Sequence, residues 1–154
     1  PTTTPAWIDA SATGGDVDRG RRLFLSPQLG CAKCHAFEGR GSPAGPNLGP
    51  LATPPSRAHL VESILEPSRR LTEGFRTFAI TTRDEITLTG THPERLPDGT
   101  VTLRDASGQR LRIPAADLAT LEPLDASLMP EGLVEILTVE DLRDLLGYLT
   151  EVQP

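Results

Sequence analysis

The sequence predicts a mainly α-helical domain that carries a small antiparallel β-sheet as an insertion. Three observations lead to this fold class: apolar residues recur at helical spacing near both ends, they alternate with polar residues over 75–121, and 154 residues suit one ordinary domain. We expect residues 1–14 to be a linker or N-terminal extension. Residues 15–154 should form one domain, with 75–121 as its β-rich insertion.

The first predicted helix begins after Asp16, which follows two glycines and can cap the helix N-terminus. Val17, Gly20 and Phe24 fall on one face of this helix. Pro27 ends the pattern.

Two further helices are predicted from capping residues and apolar faces. Ser56 can cap a helix over about 57–66, after a Gly/Pro-rich loop at 39–56. Thr138, with Asp141 three residues on, forms a capping box before the last amphipathic helix. The apolar face of that helix consists of Leu142, Leu145, Leu146 and Leu149.

The stretch between these two helices predicts about four antiparallel strands. Turn signals at Asp84–Glu85, 97–99 and 105–108 separate runs in which apolar and polar residues alternate. The apolar members of the runs are Phe78 and Ile80, Ile86 and Leu88, Val101 and Leu103, and Leu111 and Ile113.

Composition excludes some functions and bounds others. A formal net charge of −6 argues against nucleic-acid binding, which requires a basic field. No apolar run is long enough to cross a bilayer. The chain starts "PTTTPAW", without an initiator Met or a signal peptide, so we expect a mature product or an excised domain.

The sharpest motif is "CAKCH", which contains Cys31, Cys34 and His35. Cys-x-x-Cys-His is the attachment motif of c-type haem. Two thiols one turn apart can add to the two vinyl groups of one porphyrin edge, and the adjacent imidazole can then ligate the iron. The other ring nitrogen of His35 should donate to a backbone carbonyl.

Other uses of the two cysteines fit less well. A zinc site would need a second Cys or His pair, and the chain has no further cysteine. A thioredoxin-like dithiol needs a βαβ context, and a plain disulfide leaves His35 unexplained. We therefore predict one covalent haem c per chain.

Met129, the only methionine, is the predicted sixth ligand of the haem iron. A single methionine usually fills a core, but this one lies in a polar, Pro-containing loop before the last helix. A thioether ligand favours ferrous iron. His59 and His92 are the alternatives, and either would give a bis-histidine haem.

Together these features resemble a class I c-type cytochrome. The resemblance depends on "CAKCH", "GPNL" at 45–48, the Met129 loop, and two terminal helices carrying Gly20/Phe24 and Tyr148/Leu149. It implies that the terminal helices cross, that the Pro46 carbonyl accepts the His35 proton, and that Leu48 lines the haem pocket.

A closer resemblance covers nearly the whole chain from about Gly15. The segments "ILEPS", "EGF", "SLMPEGL" and "DLRDLLGYL", with the strand-rich stretch between them, are similar to the planctomycete-type CxxCH haem-binding domain. Such domains often lie at the C-terminal end of large proteins.

The resemblance implies an electron carrier with no enzymatic activity of its own. Expected partners are a dehydrogenase as donor and an oxidase or another cytochrome as acceptor, docking around 31–37 and the Met129 loop. The alternatives are a haem-based gas sensor, the electron-transfer domain of a larger dehydrogenase, or a peroxidase. Because c-type haem is attached outside the bacterial cytoplasm, we expect a periplasmic or other extracytoplasmic location.

The β-rich insertion has two interpretations. It could be a lid over one side of the haem, or a docking face, since Arg104, Arg110 and Arg112 can project from one side of the sheet. Exposed charge on a solvent face is the ordinary case, which favours the lid.

Overall fold

The computed structural model describes residues 1–49 and 55–151. For residue 151 it describes the backbone alone. The helices in the described ranges are α1 (Thr4–Ala10), α2 (Val17–Leu25), α3 (Cys31–Cys34), α4 (Arg57–Leu65) and α5 (Val139–Glu151), with a 3₁₀ turn at Leu133–Ile136 before α5. None of these helices is both long and apolar enough to cross a membrane.

Within the same described ranges, the strands form a two-stranded ribbon and a five-stranded antiparallel sheet. The ribbon consists of β1 (Ala36–Phe37) and β2 (Arg40–Gly41). The sheet strands are β3 (Phe78–Thr82), β4 (Thr87–Arg95), β5 (Val101–Arg104), β6 (Arg110–Ile113) and β7 (Leu118–Pro123), in the spatial order β6-β5-β4-β3-β7.

All three predicted N-caps are confirmed. Asp16 accepts a hydrogen bond from the Arg19 N–H at the start of α2, and Ser56 accepts one from the His59 N–H at the start of α4. The Thr138 hydroxyl accepts from the Asp141 N–H at 3.0 Å, and the Thr138 N–H donates to the Asp141 carboxylate at 2.9 Å. These side chains satisfy N–H groups that a helix start leaves without partners.

The two terminal helices of the predicted domain, α2 and α5, cross at Gly20. A Cβ atom added to Gly20 would lie 1.9 Å from the Asp144 carbonyl oxygen of α5. The crossing is reinforced by Arg19, whose guanidinium contacts Asp144 at 2.7 Å and Asp141 at 2.6 Å. Only glycine therefore allows the two backbones to approach so closely.

An aromatic cluster packs beside this crossing. Tyr148 lies 5.8 Å from Phe24 and 4.9 Å from Phe37, measured between ring centroids. All three side chains are buried, in one apolar core formed with α1, α4 and α5. The edge-to-face contact between Phe37 and Tyr148 adds to the stabilisation from burial.

The segment 1–14, expected to be a linker or N-terminal extension, contains a packed helix. The Thr3 hydroxyl caps α1, and Trp7 of α1 is buried in the helical core. Pro5 is compatible with this helix because it lies in the first turn, where the missing N–H of proline costs nothing.

The expectation of a mainly helical domain is not supported, because the sheet has five strands and its own core. The buried residues of this second core are Ile80, Val101, Leu103 and Ile113. The missed strand is β7, whose apolar residues Leu118 and Leu121 are three positions apart. A register shift opposite Thr81/Thr82 adds one residue to β7, so Leu118 and Leu121 both pack against the sheet core. Apolar residues in this strand therefore do not recur at every second position, which is the pattern expected of a strand.

His92, one of the alternative iron ligands, lies inside strand β4. The strand β4 continues through His92 and Pro93 to Arg95, with a register shift between Thr91 and Glu94. Part of the predicted Gly/Pro-rich loop, residues 50–54, lies outside the described residues.

Candidate functional site

A cavity of about 480 Å³ lies between the helical core and the sheet. This volume falls within the range of small-molecule and cofactor pockets. Its wall contains Cys31, Cys34, His35 and Met129, so the structure brings the residues of the motif and the predicted sixth ligand to one cavity.

The helix α3 holds both thiols within a single turn. Gly30, with φ of 70°, starts the turn in the left-handed conformation that glycine adopts readily. The turn is closed by the His35 N–H, which donates to the Cys31 carbonyl at 2.9 Å. The local backbone thus places His35 directly after the two thiols, in extended conformation.

One ring nitrogen of His35 is hydrogen-bonded to the backbone. Its Nδ1 lies 2.7 Å from the Pro46 carbonyl oxygen. Because a carbonyl can only accept, Nδ1 carries the proton and Nε2 keeps its lone pair. Burial lowers the pKa of His35, against the opposing effect of the Pro46 hydrogen bond, and so favours the neutral imidazole that a metal requires.

The two cysteines are free thiols. Burial is the main cause that raises the pKa of Cys31, and burial also raises the pKa of Cys34, which Lys33 partly offsets. The chain therefore keeps both groups as thiols rather than as reactive thiolates, unlike the activated cysteines of redox enzymes.

Met129 reaches the cavity from the loop before α5. Its N–H donates to the Ser127 hydroxyl at 3.1 Å, and the Ser127 N–H donates to the Ser68 hydroxyl at 3.2 Å. These bonds fix the loop against the segment that follows α4. The side chain of Met129 also packs against the helical core.

The remaining predicted site residues separate into two groups. Pro46 and Leu48 belong to the wall of the cavity. His59 is exposed on α4 and His92 is exposed on β4, and neither is among the described residues that form the wall.

The sheet contributes wall residues that the sequence did not predict. These are Phe75, just before β3, Thr91 of β4, and Ala106 in the turn between β5 and β6. The Cys34 thiol donates to the Ala106 carbonyl, with 3.3 Å between sulfur and oxygen. The turn therefore contacts Cys34, within the segment 31–37 that is expected to dock redox partners.

The chemistry of this donor set fits haem c. Two thiols, a neutral imidazole and a thioether share a largely apolar wall. In residues 1–49 and 55–151 there is no group of three or more His, Cys, Asp or Glu side chains that could hold a metal ion. A porphyrin, which brings four of the six iron ligands with it, does not need one.

Comparison with protein families gives an independent observation. Residues 17–84 match the family model described as Cytochrome c. The match supports a c-type cytochrome with covalently bound haem c, an electron-transfer role and redox protein partners. It spans less than half of the chain and ends before Met129. No curated protein matches the chain.

Proposed function

We propose that this chain is a monohaem c-type cytochrome that transfers single electrons through a haem ligated by His35 and Met129. The observation that carries the proposal is the shared cavity. His35, with Nδ1 held by the Pro46 carbonyl at 2.7 Å, and Met129 both stand in its wall beside the two thiols.

Each residue has a distinct task in this proposal. When bound, haem c supplies an iron that takes up and releases one electron. Cys31 and Cys34 anchor the group as thioethers, and His35 ligates through Nε2 while Pro46 holds its ring orientation. Leu48 and its apolar neighbours would exclude water, and Met129 would supply the second protein ligand of the iron.

With both His35 and Met129 as ligands, the iron would have no open position for a substrate. The proposed role is therefore that of a carrier and not of an enzyme. Its redox partners would be a dehydrogenase as donor and an oxidase or another cytochrome as acceptor. A place as the electron-transfer domain of a larger enzyme is compatible with the same site.

The sheet acts in this proposal as a lid. Phe75, Thr91 and Ala106 extend the cavity wall beyond the helices, and the contact of Ala106 with Cys34 joins the lid to the attachment motif. This use of a strand-rich insertion accords with the planctomycete-type resemblance, which is itself part of the proposal.

The proposed location is the periplasm or another extracytoplasmic compartment, where c-type haem is attached. Thioether formation there would consume the thiols of both Cys31 and Cys34. Production of the chain with and without an export signal, in cells that mature c-type cytochromes, tests this. Haem attachment is expected only in the exported chain, and equal attachment in the cytoplasm would contradict the proposal.

Haem count and electron count test the function itself. The full chain, matured in the periplasm, should carry one covalent haem by mass and pyridine haemochrome spectrum, and should take up one electron per chain in a reductive titration. Cys31→Ala and Cys34→Ala should each leave one thioether. A chain without covalent haem, or one that takes up more than one electron, would overturn the proposal.

A further inference from the structure

The strand β4 contains a distortion next to the cavity. Thr91 is opposite Arg104 on β5, whereas Glu94 is opposite Thr102, so β4 has one residue more than β5 between these pairs. His92 adopts φ of 52°, a left-handed conformation that non-glycine residues seldom occupy. Such bulges redirect side chains, and strained residues of this kind concentrate at functional sites.

The bulge joins two wall residues through a histidine that is outside the wall. Thr91 is 2% exposed and belongs to the cavity wall. Nδ1 of His92 lies 2.9 Å from the Thr91 hydroxyl oxygen. The His92 ring also meets Phe75 edge-on, with 4.8 Å between centroids, and Phe75 is a wall residue too.

The hydroxyls of two serines in the cavity wall, Ser63 and Ser127, are hydrogen-bonded to backbone groups. Ser63 donates its hydroxyl proton to the His59 carbonyl within α4, at 2.9 Å. Ser127 accepts from the Met129 N–H. The Thr91 hydroxyl instead faces an imidazole, which can either accept its proton or donate a proton to it, depending on the tautomer.

We propose that Thr91 contacts the bound haem with its hydroxyl and that His92 is the positioning residue that orients this hydroxyl. In the proposed arrangement the His92 Nδ1–H donates to the Thr91 oxygen. The hydroxyl proton is then left for an acceptor in the cavity, either a haem propionate or the axial thioether sulfur. The inference rests on the proposed function, since it requires haem in this cavity.

A hydroxyl oriented in this way changes the redox balance. The positive end of its dipole points toward the haem, where the ferric state carries one more positive charge than the ferrous state. Hydrogen bonding around the haem is one of the means by which a protein sets the reduction potential. Thr91 therefore favours the ferrous state and raises the midpoint potential.

Substitution of Thr91 in the matured full chain measures this effect. Thr91→Val removes the hydroxyl and should lower the midpoint potential, and Thr91→Ser should restore most of it. Thr89→Val makes the same change at an exposed position of the same strand and should leave the potential unchanged. If Thr91→Val fails to retain haem, Thr91→Ala provides the same comparison with Thr91→Ser.

Substitution of His92 tests the positioning role separately. His92→Gly keeps the left-handed backbone accessible, removes the imidazole and should also lower the potential. In a Thr91→Val background His92→Gly should add little further, because both changes act through one hydroxyl. Additive shifts, or a rise in potential in His92→Gly, would overturn the positioning role.

The visible spectrum shows whether the Thr91 hydroxyl donates to the thioether sulfur or to a haem propionate. It also allows the role of Thr91 to fail while the proposed function stands. If Thr91→Val moves the charge-transfer band of the ferric Met–iron bond, the acceptor is the thioether; if the potential shifts with the band unmoved, it is a propionate. An unchanged potential in a variant with a normal His/Met spectrum would overturn the inference alone. A wild-type chain without covalent haem would overturn the proposed function instead.

Discussion

The Cβ position of Gly45 lies 3.2 Å from the Cε1 atom of His35, so this glycine fixes how closely the loop can approach the imidazole. The same loop supplies the Pro46 carbonyl that lies 2.7 Å from Nδ1 of His35. Close approach and hydrogen bond together hold the ring in one orientation. The axial role proposed for His35 depends on that orientation.

Gly45→Ala should therefore displace the His35 ring by a few tenths of an ångström. We expect a loss of about 1 kcal/mol in unfolding free energy, together with a changed electron paramagnetic resonance spectrum of the ferric haem. Gly49→Ala is the control, because the atoms nearest its Cβ would belong to the Asn47 side chain and not to His35. Identical ferric spectra for the two variants would contradict the assignment of His35.

The crossing of α2 and α5 predicts opposite results for two glycines. Gly20→Ala would place a Cβ 1.9 Å from the Asp144 carbonyl oxygen, so the helices must separate, at a cost of about 3 kcal/mol. Gly147→Ala would meet its nearest atom, the carbonyl carbon of Gly15, at 3.4 Å, and should stabilise α5 by about 0.5–1 kcal/mol. Chemical denaturation measures both, and equal effects would contradict the crossing.

Acid should weaken the structure through Asp141. The pKa of Asp141 lies below its usual value, mainly because the Thr138 hydroxyl and N–H donate to it, with Arg19 adding a smaller effect. A lowered pKa in the folded state means that the stabilisation is present above the unfolded-state pKa of about 3.9 and is lost as pH falls through the folded-state pKa.

Urea midpoints between pH 6 and 3 should therefore fall less steeply in Asp141→Asn than in the wild type. Thr138→Val removes the strongest hydrogen-bond donor but keeps the carboxylate, and should give an intermediate slope. If the urea midpoint of Asp141→Asn falls with decreasing pH as steeply as that of the wild type, this carboxylate does not contribute to acid sensitivity.

The turn between β5 and β6 should control access to the haem edge at Cys34. Replacing Ala106–Gly108 by Asn-Gly shortens the hairpin and removes the carbonyl that lies 3.3 Å from the Cys34 sulfur. We expect haem to be retained and its oxidation by ferricyanide to become several-fold faster.

The turn between β4 and β5 offers a matched control. The Leu96 N–H donates to the Thr100 carbonyl and the Asp105 N–H to the Gln109 carbonyl, so each turn has three residues inside its closing bond. In the control turn these are 97–99, with Gly99 at φ of 81°, close to the 84° of Gly108. None of these three residues belongs to the cavity wall. The same Asn-Gly replacement there should leave the oxidation rate unchanged. If both replacements accelerate oxidation equally, the sheet does not act as a lid.

Much of the helical part of the fold could be predicted from local sequence patterns. Asp16, Ser56 and Thr138 cap helices where the sequence predicts them, because capping depends on residues within one turn. The β7 strand was missed because its bulge places Leu118 and Leu121 on one face at a spacing of three. That bulge depends on pairing with β3, about forty residues earlier, which no local pattern reveals.

The candidate site also contains residues that local sequence patterns predict and residues that they do not. Cys31, Cys34 and His35 follow from one five-residue motif, and Met129 from its loop and its rarity. Ala106 and Thr91 carry no chemical signal of their own. Their place in the wall comes from how the sheet packs against the helices, which only the three-dimensional structure shows.

The bond between Met129 and iron is the central claim, because it separates an electron carrier from a gas sensor. The ferric protein should show the Met–iron charge-transfer band at the red end of the visible spectrum. Met129→Ala should abolish the band, whereas Leu128→Ala, a change at the adjacent wall residue, should retain it. A wild-type protein that lacks the band and binds CO rapidly when reduced would contradict the account.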